Sequence, residues 1–471
     1  MINYYAKKKK IMKMKVTLVV AMLCLGLTQG FAQSQEECTT KLSIFHEYVK
    51  AKNYDAAYTP WMEVRNACPK FNKAIIIDGE KILDYKIENS TGAEKKAYIE
   101  DLMKLWDEEF TNFPGRTTQG EVLVNQAQLM YDNKADLGLS DLEVYNAFDK
   151  AYTTDAANFK SPKGLYTYFS LMVDLYDAKQ KTAQDLFNKY DDVVDRVDTE
   201  VGIFSEDLNK LIAKEEAGTA LKSKEISYKK RYESYLKAYD QIGGSIDGKL
   251  GERANCENLI PLYEKDFEAN KTDAVWLQRA AGKMSEKECT SDPLFFKLVN
   301  AYHDLKPSAN SAYYLGILKD KENKSSEALK YYEQALSLET DSYKKAKLYS
   351  KIGDKLKRSG AYSKARNYYR QALTLNPSNG RPHLQIASMY AASANDCGDS
   401  TFNKRAVFWL AADEASKAGR VDPTLKSHAS QSATSYRASA PQKADIFSEG
   451  NGGQTIKIGC WIGASVTVPN L

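Results

Sequence analysis

Beyond its first 32 residues the chain has no apolar run long enough to cross a bilayer, so residues 33–471 are expected to carry no membrane span. Glycine and proline are not enriched, at 26 and 12 in 471 residues, which excludes a low-complexity chain. Histidine is scarce: His46, His303, His383 and His428 stand far apart, and no Cys-x-x-Cys occurs, which argues against a zinc centre. There is no Gly-rich phosphate loop, no G-x-S-x-G, no H-E-x-x-H and no EF-hand spacing, so the common nucleotide, hydrolase, zinc-protease and calcium readings lack their residues. Carboxylate runs at 107–109 and 191–192 fall on helical patterns, where a solvated face accounts for them. No catalytic residue, no metal site and no cofactor is therefore expected.

Two features stand out. Tyrosine is abundant, at 31, which suits helix packing with one wet end on each ring. The first 32 residues combine KKKKIMKMK, the apolar run VTLVVAMLCLGL and GFA before Gln33, which reads as a secretory signal peptide cut after Ala32. Cys24 falls inside the removed segment. Those residues hold six lysines and no acid, so 66 less six leaves 60 basic against 62 acidic side chains, a net charge of −2. No concentrated basic face stands out, and nucleic acid is not an expected partner.

The search for internal periods finds one. In SAYYLGILKDKENKSSEALKYYEQALSLE (311–339), Gly316 is followed at +12, +16 and +19 by Ala328, Tyr332 and Ala335. In YSKIGDKLKRSGAYSKARNYYRQALTLNP (349–377), Gly353 is followed at the same offsets by Ala365, Tyr369 and Ala372, then by Pro377. Each unit reads as two helices, with small residues allowing close approach and an aromatic filling the space between. The pattern resembles the tetratricopeptide repeat (TPR), whose period is about 34 residues. A third copy starts with Ala387, and Ala411, Ala415 and Ala418 keep the second-helix offsets after an insertion containing Cys397.

The resemblance implies an all-α fold, a TPR-like helical-hairpin solenoid. It is clearest over 309–425 and weaker over 33–180, where Ala57, Trp61, Val64 and Pro69 repeat the second-helix offsets and Trp106 and Pro114 echo them. Helices are expected near 40–52, 54–67, 72–87, 93–111, 118–134, 141–153 and 164–179. Between these regions, Leu186, Tyr190, Val193, Val197, Val201, Phe204, Leu208 and Leu211, then Tyr228, Tyr232, Tyr235, Tyr239 and Ile242, recur at three and four residues. That spacing predicts a long antiparallel hairpin over 181–250, packed like a coiled coil and turning near Gly218. It reads either as an elongated pair within the solenoid or as a projecting docking arm. GGSIDG at 243–248 reads as a hinge or boundary. Residues 251–308 read as a further helical hairpin region, and 426–471 as a capping helix with a short β-like tail.

Six cysteines follow the leader, an even number that suits an exported chain. Counting alone allows 15 pairings. In a helical hairpin the start of the first helix sits beside the end of the second, and Cys38 with Cys68, like Cys256 with Cys289, occupies such places. Cys397 is then expected to pin Cys460, with Trp461 and Ile462 folded over the last repeat. The alternative is a loose tail with a spare thiol. A bridged Cys397 cannot serve as a nucleophile for His383.

What the resemblance implies about function is partner binding on the face lined by first helices. Its positions are Asn310, Tyr313, Ile317 and Asp320; then Lys347, Ser350, Asp354 and Lys357; then Arg381, Leu384 and Ser388. Relatives that hold a peptide carboxylate use Lys and Asn where this chain has Tyr313, Ile317, Ser350 and Asp354, so an extended segment or a neighbouring subunit fits better. The expectation is a non-enzymatic scaffold, exported to the periplasm of a Gram-negative cell or its outer membrane, that supports secretion or assembly of envelope proteins. Two alternatives stay open: an extracytoplasmic enzyme with its site in the N-terminal half, and a regulatory or sensory subunit working through the long hairpin.

Overall fold

The computed structural model describes residues 36–470, so the leader and its cleavage point lie outside the described residues. The chain divides into two compact units, at Leu171/Met172. In the first unit residues 36–50 (α1) are followed by α2 (Tyr54–Ala67), α3 (Ala74–Glu88), α4 (Gly92–Asn112), α5 (Gln119–Asp132), the short α6 (Lys134–Leu137) and α7 (Asp141–Asp155). Helix α8 (Pro162–Asp177) crosses the division. The helices begin within four residues of the expected starts. Side-chain caps fix the first turns of two of them: Thr118 with Glu121 opens α5 and Ser140 with Glu143 opens α7, each reciprocally bonded.

The core of this unit gathers Phe45, Ala57, Trp61, Val64, Ile75, Ile82 and Leu102. Gly79 of α3 lies against the Trp61 ring, where an added methyl would come within 2.6 Å, and the indole N–H donates to the Ile75 carbonyl at 2.7 Å. Small residue against large ring is the packing device the sequence suggested, although here the small residue follows the ring in the chain. Cys38 of α1 is bonded to Cys68 after α2, with Cα atoms 6.6 Å apart.

The second unit begins with two long helices, α9 (Ala183–Glu216) and α10 (Ser223–Leu250). There follow α11 (Cys256–Asn270), α12 (Ala274–Glu286), α13 (Pro293–Leu305), α14 (Ala309–Lys321), α15 (Ser325–Leu338), α16 (Ser342–Arg358), α17 (Tyr362–Leu375) and α18 (Arg381–Ala392). The chain ends with α19 (Ala394–Cys397), α20 (Thr401–Val421), α21 (Lys426–Ser439), α22 (Lys443–Glu449), β1 (Thr455–Ile458) and β2 (Ala464–Thr467). The fold is all-α with TPR-like stacked hairpins and a small terminal hairpin of strands. The insertion in the third repeat does not loop out. It forms α19 and lengthens the start of α20, whose 21 residues begin at a Ser400 cap.

Helices α9 and α10 run antiparallel: Tyr190 reaches Asp247, Phe204 stacks on Tyr235 at 4.7 Å between centroids, and Lys214 meets Glu225 at 2.6 Å beside the turn. Gly218 holds a φ of +75° in that turn, a conformation open to glycine without strain. The expected hinge at GGSIDG is not there. Residues 243–248 stay inside α10, because Ile246 and Leu250 are buried and hold that end of the helix down. A weak local propensity is overridden by packing.

The terminal strands pair with Thr455 opposite Thr467 and Ile458 opposite Ala464. One side of the hairpin is apolar. Ile458, Ile462 and Val466 enter the cluster of Ile386, Met389, Tyr390 and Val407 on α18 and α20. Trp461 sits 5.5 Å from both Tyr362 and Tyr390, and its indole N–H donates to Ser393. Cys397 and Cys460 are bonded, as are Cys256 and Cys289. The tail covers apolar surface at the end of the stacked helices, where a free end would otherwise expose it.

Candidate interaction face

The repeats of the second unit are locked by one recurring contact. A methyl added at Gly316 would lie 2.3 Å from the Tyr332 ring, and one at Gly353 would lie 2.8 Å from the Tyr369 ring. Each ring then ends in a hydrogen bond back to its partner helix: Tyr332 donates to Asp320, and Tyr369 to Asp354 at 2.6 Å. Burial first, then these bonds, push both hydroxyl pKa values well above the usual tyrosine range. Ala328, Ala335, Ala365 and Ala372 are buried on the second helices, and in the third pair Ala387 packs on Ala415.

A repeat was missed in the sequence. Gly282 stands 34 residues before Gly316, and an added methyl there would meet the Tyr314 hydroxyl at 3.0 Å. Leu294, Leu298 and Ala301 follow it at +12, +16 and +19, so α12 and α13 form a pair in register with the rest. The leucines hid the pattern, because the repeats of Gly316 and Gly353 carry alanine and tyrosine at those two offsets. Helix α12 is thus a first helix, in line with α14, α16 and α18.

These first helices hold a helix of the chain itself. Arg279 and Lys283 of α12 pair with Asp192 and Asp191 of α9, at 2.7 and 3.2 Å. Lys347 of α16 meets Asp198 at 2.6 Å. The Lys283 ammonium also lies 3.5 Å over the Tyr190 ring, whose hydroxyl donates to Asp247 and Glu286. Gly202 lets α9 approach the Tyr343 ring to 3.3 Å from where a Cβ would be. Farther along, Asn209 donates to the buried Asn376 and accepts from the backbone N–H of Ser378. On the second helix of the hairpin, Asp240 pairs with Arg381 of α18. Burial raises the Asp191 carboxyl to about 6 against the pull of Lys283. The hairpin is therefore an element laid along the repeats, and a freely projecting arm is excluded.

The expected partner-binding positions fall in three groups. Tyr313 and Ile317 are buried, 7% and 1% exposed, and fill the space between helices. Asp320 and Asp354 receive the two tyrosine hydroxyls, while Lys347 and Arg381 meet the hairpin. Lys357 donates to Gln385 and to Ser388, which ties the second repeat to the third, and Leu384 packs on the Ala387 cluster. Asn310 is exposed, and the half-buried Ser350 residue has a hydroxyl oxygen that lacks both water contact and a hydrogen-bond partner.

Of the scattered histidines, His383 has a defined role. It lies 2.7 Å from Glu414, which also receives Arg370 at 2.6 Å and Lys417 at 3.1 Å. Burial alone would raise Glu414, but the His383 bond and the Arg370 charge outweigh it and bring the carboxyl down to about 2. Among the described residues no group of three or more His, Cys, Asp and Glu is placed to hold a metal ion, and no helix is long and apolar enough to cross a membrane.

The tetratricopeptide-repeat family profile matches residues 346–379, which take in most of α16, all of α17 and the four residues after it. The chain carries tetratricopeptide repeats. A second profile, described as the Est1 DNA/RNA binding domain, matches residues 365–411. Among curated proteins the chain is similar to the photosystem I assembly protein Ycf3 of Cyanophora paradoxa, 33% identical over 107 residues. That match covers 21% of this chain and 62% of Ycf3, so the chain spans less than two thirds of that relative. A tetratricopeptide repeat protein from Parabacteroides merdae overlays with 12% identity and a TM-score of 0.23, covering 67% of this chain and 97% of that one. Human IFIT1, solved as a dimer with m7Gppp-AAAA, overlays with 14% identity and a TM-score of 0.31, covering 79% and 76%. Overlays this loose support nothing further. The repeats and the helical fold place the chain among interaction scaffolds.

Proposed function

We propose that this chain is an exported scaffold that holds another protein, as an extended segment or a neighbouring subunit, on its tetratricopeptide repeats. Its place in this reading is the periplasm of a Gram-negative cell, in complexes at the outer membrane, where it supports secretion or assembly of envelope proteins. One observation carries the proposal: the first-helix face already clasps a polypeptide, α9, through ion pairs on α12 and α16. A surface that grips a helix of its own chain has the chemistry to grip a segment of another. Export rests on the composition of residues 1–32 and on three cysteine pairs, which persist in oxidising compartments. The likeness to Ycf3, an assembly protein, supports assembly as the class of work. With no net positive charge after residue 32, nucleic acid is excluded from this reading.

Affinity purification after crosslinking in the native envelope tests this. The expected result is a protein joined to lysines of α14 or α16. Recovery of the chain from the cytosol, or ultraviolet crosslinking to RNA within residues 365–411, overturns it.

A further inference from the structure

The cations on the first-helix face divide into two sets. Arg279, Lys283 and Lys347 each have a carboxylate of α9 within ion-pair reach. Lys351 and Lys355, one and two turns further along α16, have none among the described residues. Every carboxylate near them is already engaged. Asp198 is held by Lys347, and Glu286 by Lys283 and Lys287. Asp320 and Asp354 receive Tyr332 and Tyr369, and Glu288 meets Arg358 in a pair exposed on both sides.

The two free ammonium groups are also crowded by like charge. Burial, then Lys347, lowers the Lys351 pKa; burial, then Arg358 and Lys321, lowers that of Lys355. Lys351 rests 5.7 Å over the Tyr313 ring yet keeps solvent access, and Arg358 is 65% exposed. Asp198 and Glu286 pull the other way on Lys351, and Asp320 and Glu288 on Lys355, but burial and like charge outweigh them, and an anionic ligand placed on these ammonium groups offsets that cost.

We infer that the row Lys351–Lys355 of α16, flanked by Lys321 and Arg358, is a docking site for an acidic segment of a partner protein. The segment carries Asp or Glu at intervals of three and four residues. Helix α9 is its template, because Asp191, Asp192, Asp195 and Asp198 have that spacing, and Asp191, Asp192 and Asp198 meet the neighbouring cations of the same face. The inference rests on the scaffold reading and gives it a partner chemistry.

The test uses the full chain and two fluorescent probes in anisotropy titrations at physiological salt. One is a synthetic peptide of residues 186–201, and the other is the same peptide with Asp→Asn at 191, 192, 195 and 198. The acidic peptide is expected to bind, and the Asn peptide to bind about tenfold more weakly. Replacing Lys351→Gln and Lys355→Gln together is expected to weaken the acidic peptide about tenfold. Lys330→Gln and Lys364→Gln, on second helices, should leave it unchanged. If the double variant melts early, Lys351→Met, which keeps the stem over Tyr313, is expected to show the same direction of loss. Binding that ignores Lys351 and Lys355 overturns the inference, and so does a single-stranded oligoribonucleotide that binds more tightly than the peptide through those lysines. If an envelope partner is still captured after that failure, the scaffold reading survives without this site.

Discussion

Gly353 lies directly against the ring of Tyr369, with room for a hydrogen and none for a methyl. The ring cannot swing aside freely, because its hydroxyl is tied to Asp354 on the same helix as the glycine. In an exposed helix a Gly→Ala change is stabilising by about 1 kcal/mol. Here the sign reverses, and Gly353→Ala is expected to cost about 1–3 kcal/mol through overpacking. Gly316→Ala, where the approach is closer still, should cost at least as much. Thermal melts of both variants beside Gly243→Ala, which has open space around it, measure the difference.

Asn209 is a stronger fastening for the long hairpin than any of its exposed ion pairs. Its side chain serves both Asn376 and the Ser378 backbone, which are 4% and 6% exposed and have no water to replace it. Asn209→Ala is expected to cost about 1–3 kcal/mol. Asp240→Ala, whose partner Arg381 is 67% exposed, should cost less than about 1 kcal/mol. Limited proteolysis in the turn at 217–222 should quicken for the first variant and hardly change for the second.

Glu414 makes the third repeat sensitive to acid. Its folded pKa of about 2 lies below its ordinary 4.5, so the stabilisation is complete above pH 4.5 and is lost as pH falls towards 2. The full difference is on the order of 3 kcal/mol. Glu414→Gln should lower stability at neutral pH and flatten that acid limb. Denaturant melts of both proteins between pH 6 and pH 3 read the slopes.

The Cys397–Cys460 bond closes a separation of 63 residues, worth about 4 kcal/mol in the chain-entropy model. Cys397→Ser with Cys460→Ser is expected to lower the melting temperature. It should also raise hydrogen exchange in β1 and β2 while sparing α14 to α16. Trp461→Ala in the intact protein should give the same regional pattern, because the ring, Arg366 over it and Ser393 beneath its N–H form the rest of the fastening.

What was legible in the sequence was what repeats within a helix pair. Gly353, Ala365, Tyr369 and Ala372 lie close in the chain, so their offsets carry the contact directly. The strand pattern of the tail was legible for the same reason, since Ile458 and Val466 alternate with polar neighbours across one tight turn. The α12–α13 pair escaped because leucines replaced the first alanine and the tyrosine that mark the others, leaving only Ala301 in place. The occupation of the first-helix face was not legible at all. Lys347 and Asp198 are 149 residues apart, and no local pattern tells a charge paired at that range from one left in solvent. The hinge expected at GGSIDG failed in the opposite way, because a correct local propensity was outweighed by the burial of Ile246 and Leu250.

Carbodiimide coupling joins a carboxylate to an ammonium only when the two touch, and it tests the clasp on the repeats most directly. Mass mapping of the coupled monomer is expected to find Asp198 joined to Lys347, beside Glu225 joined to Lys214 in the hairpin turn as an internal control. If the turn couples and Asp198 does not reach Lys347, α9 does not lie on the first helices, and this account of the face is wrong.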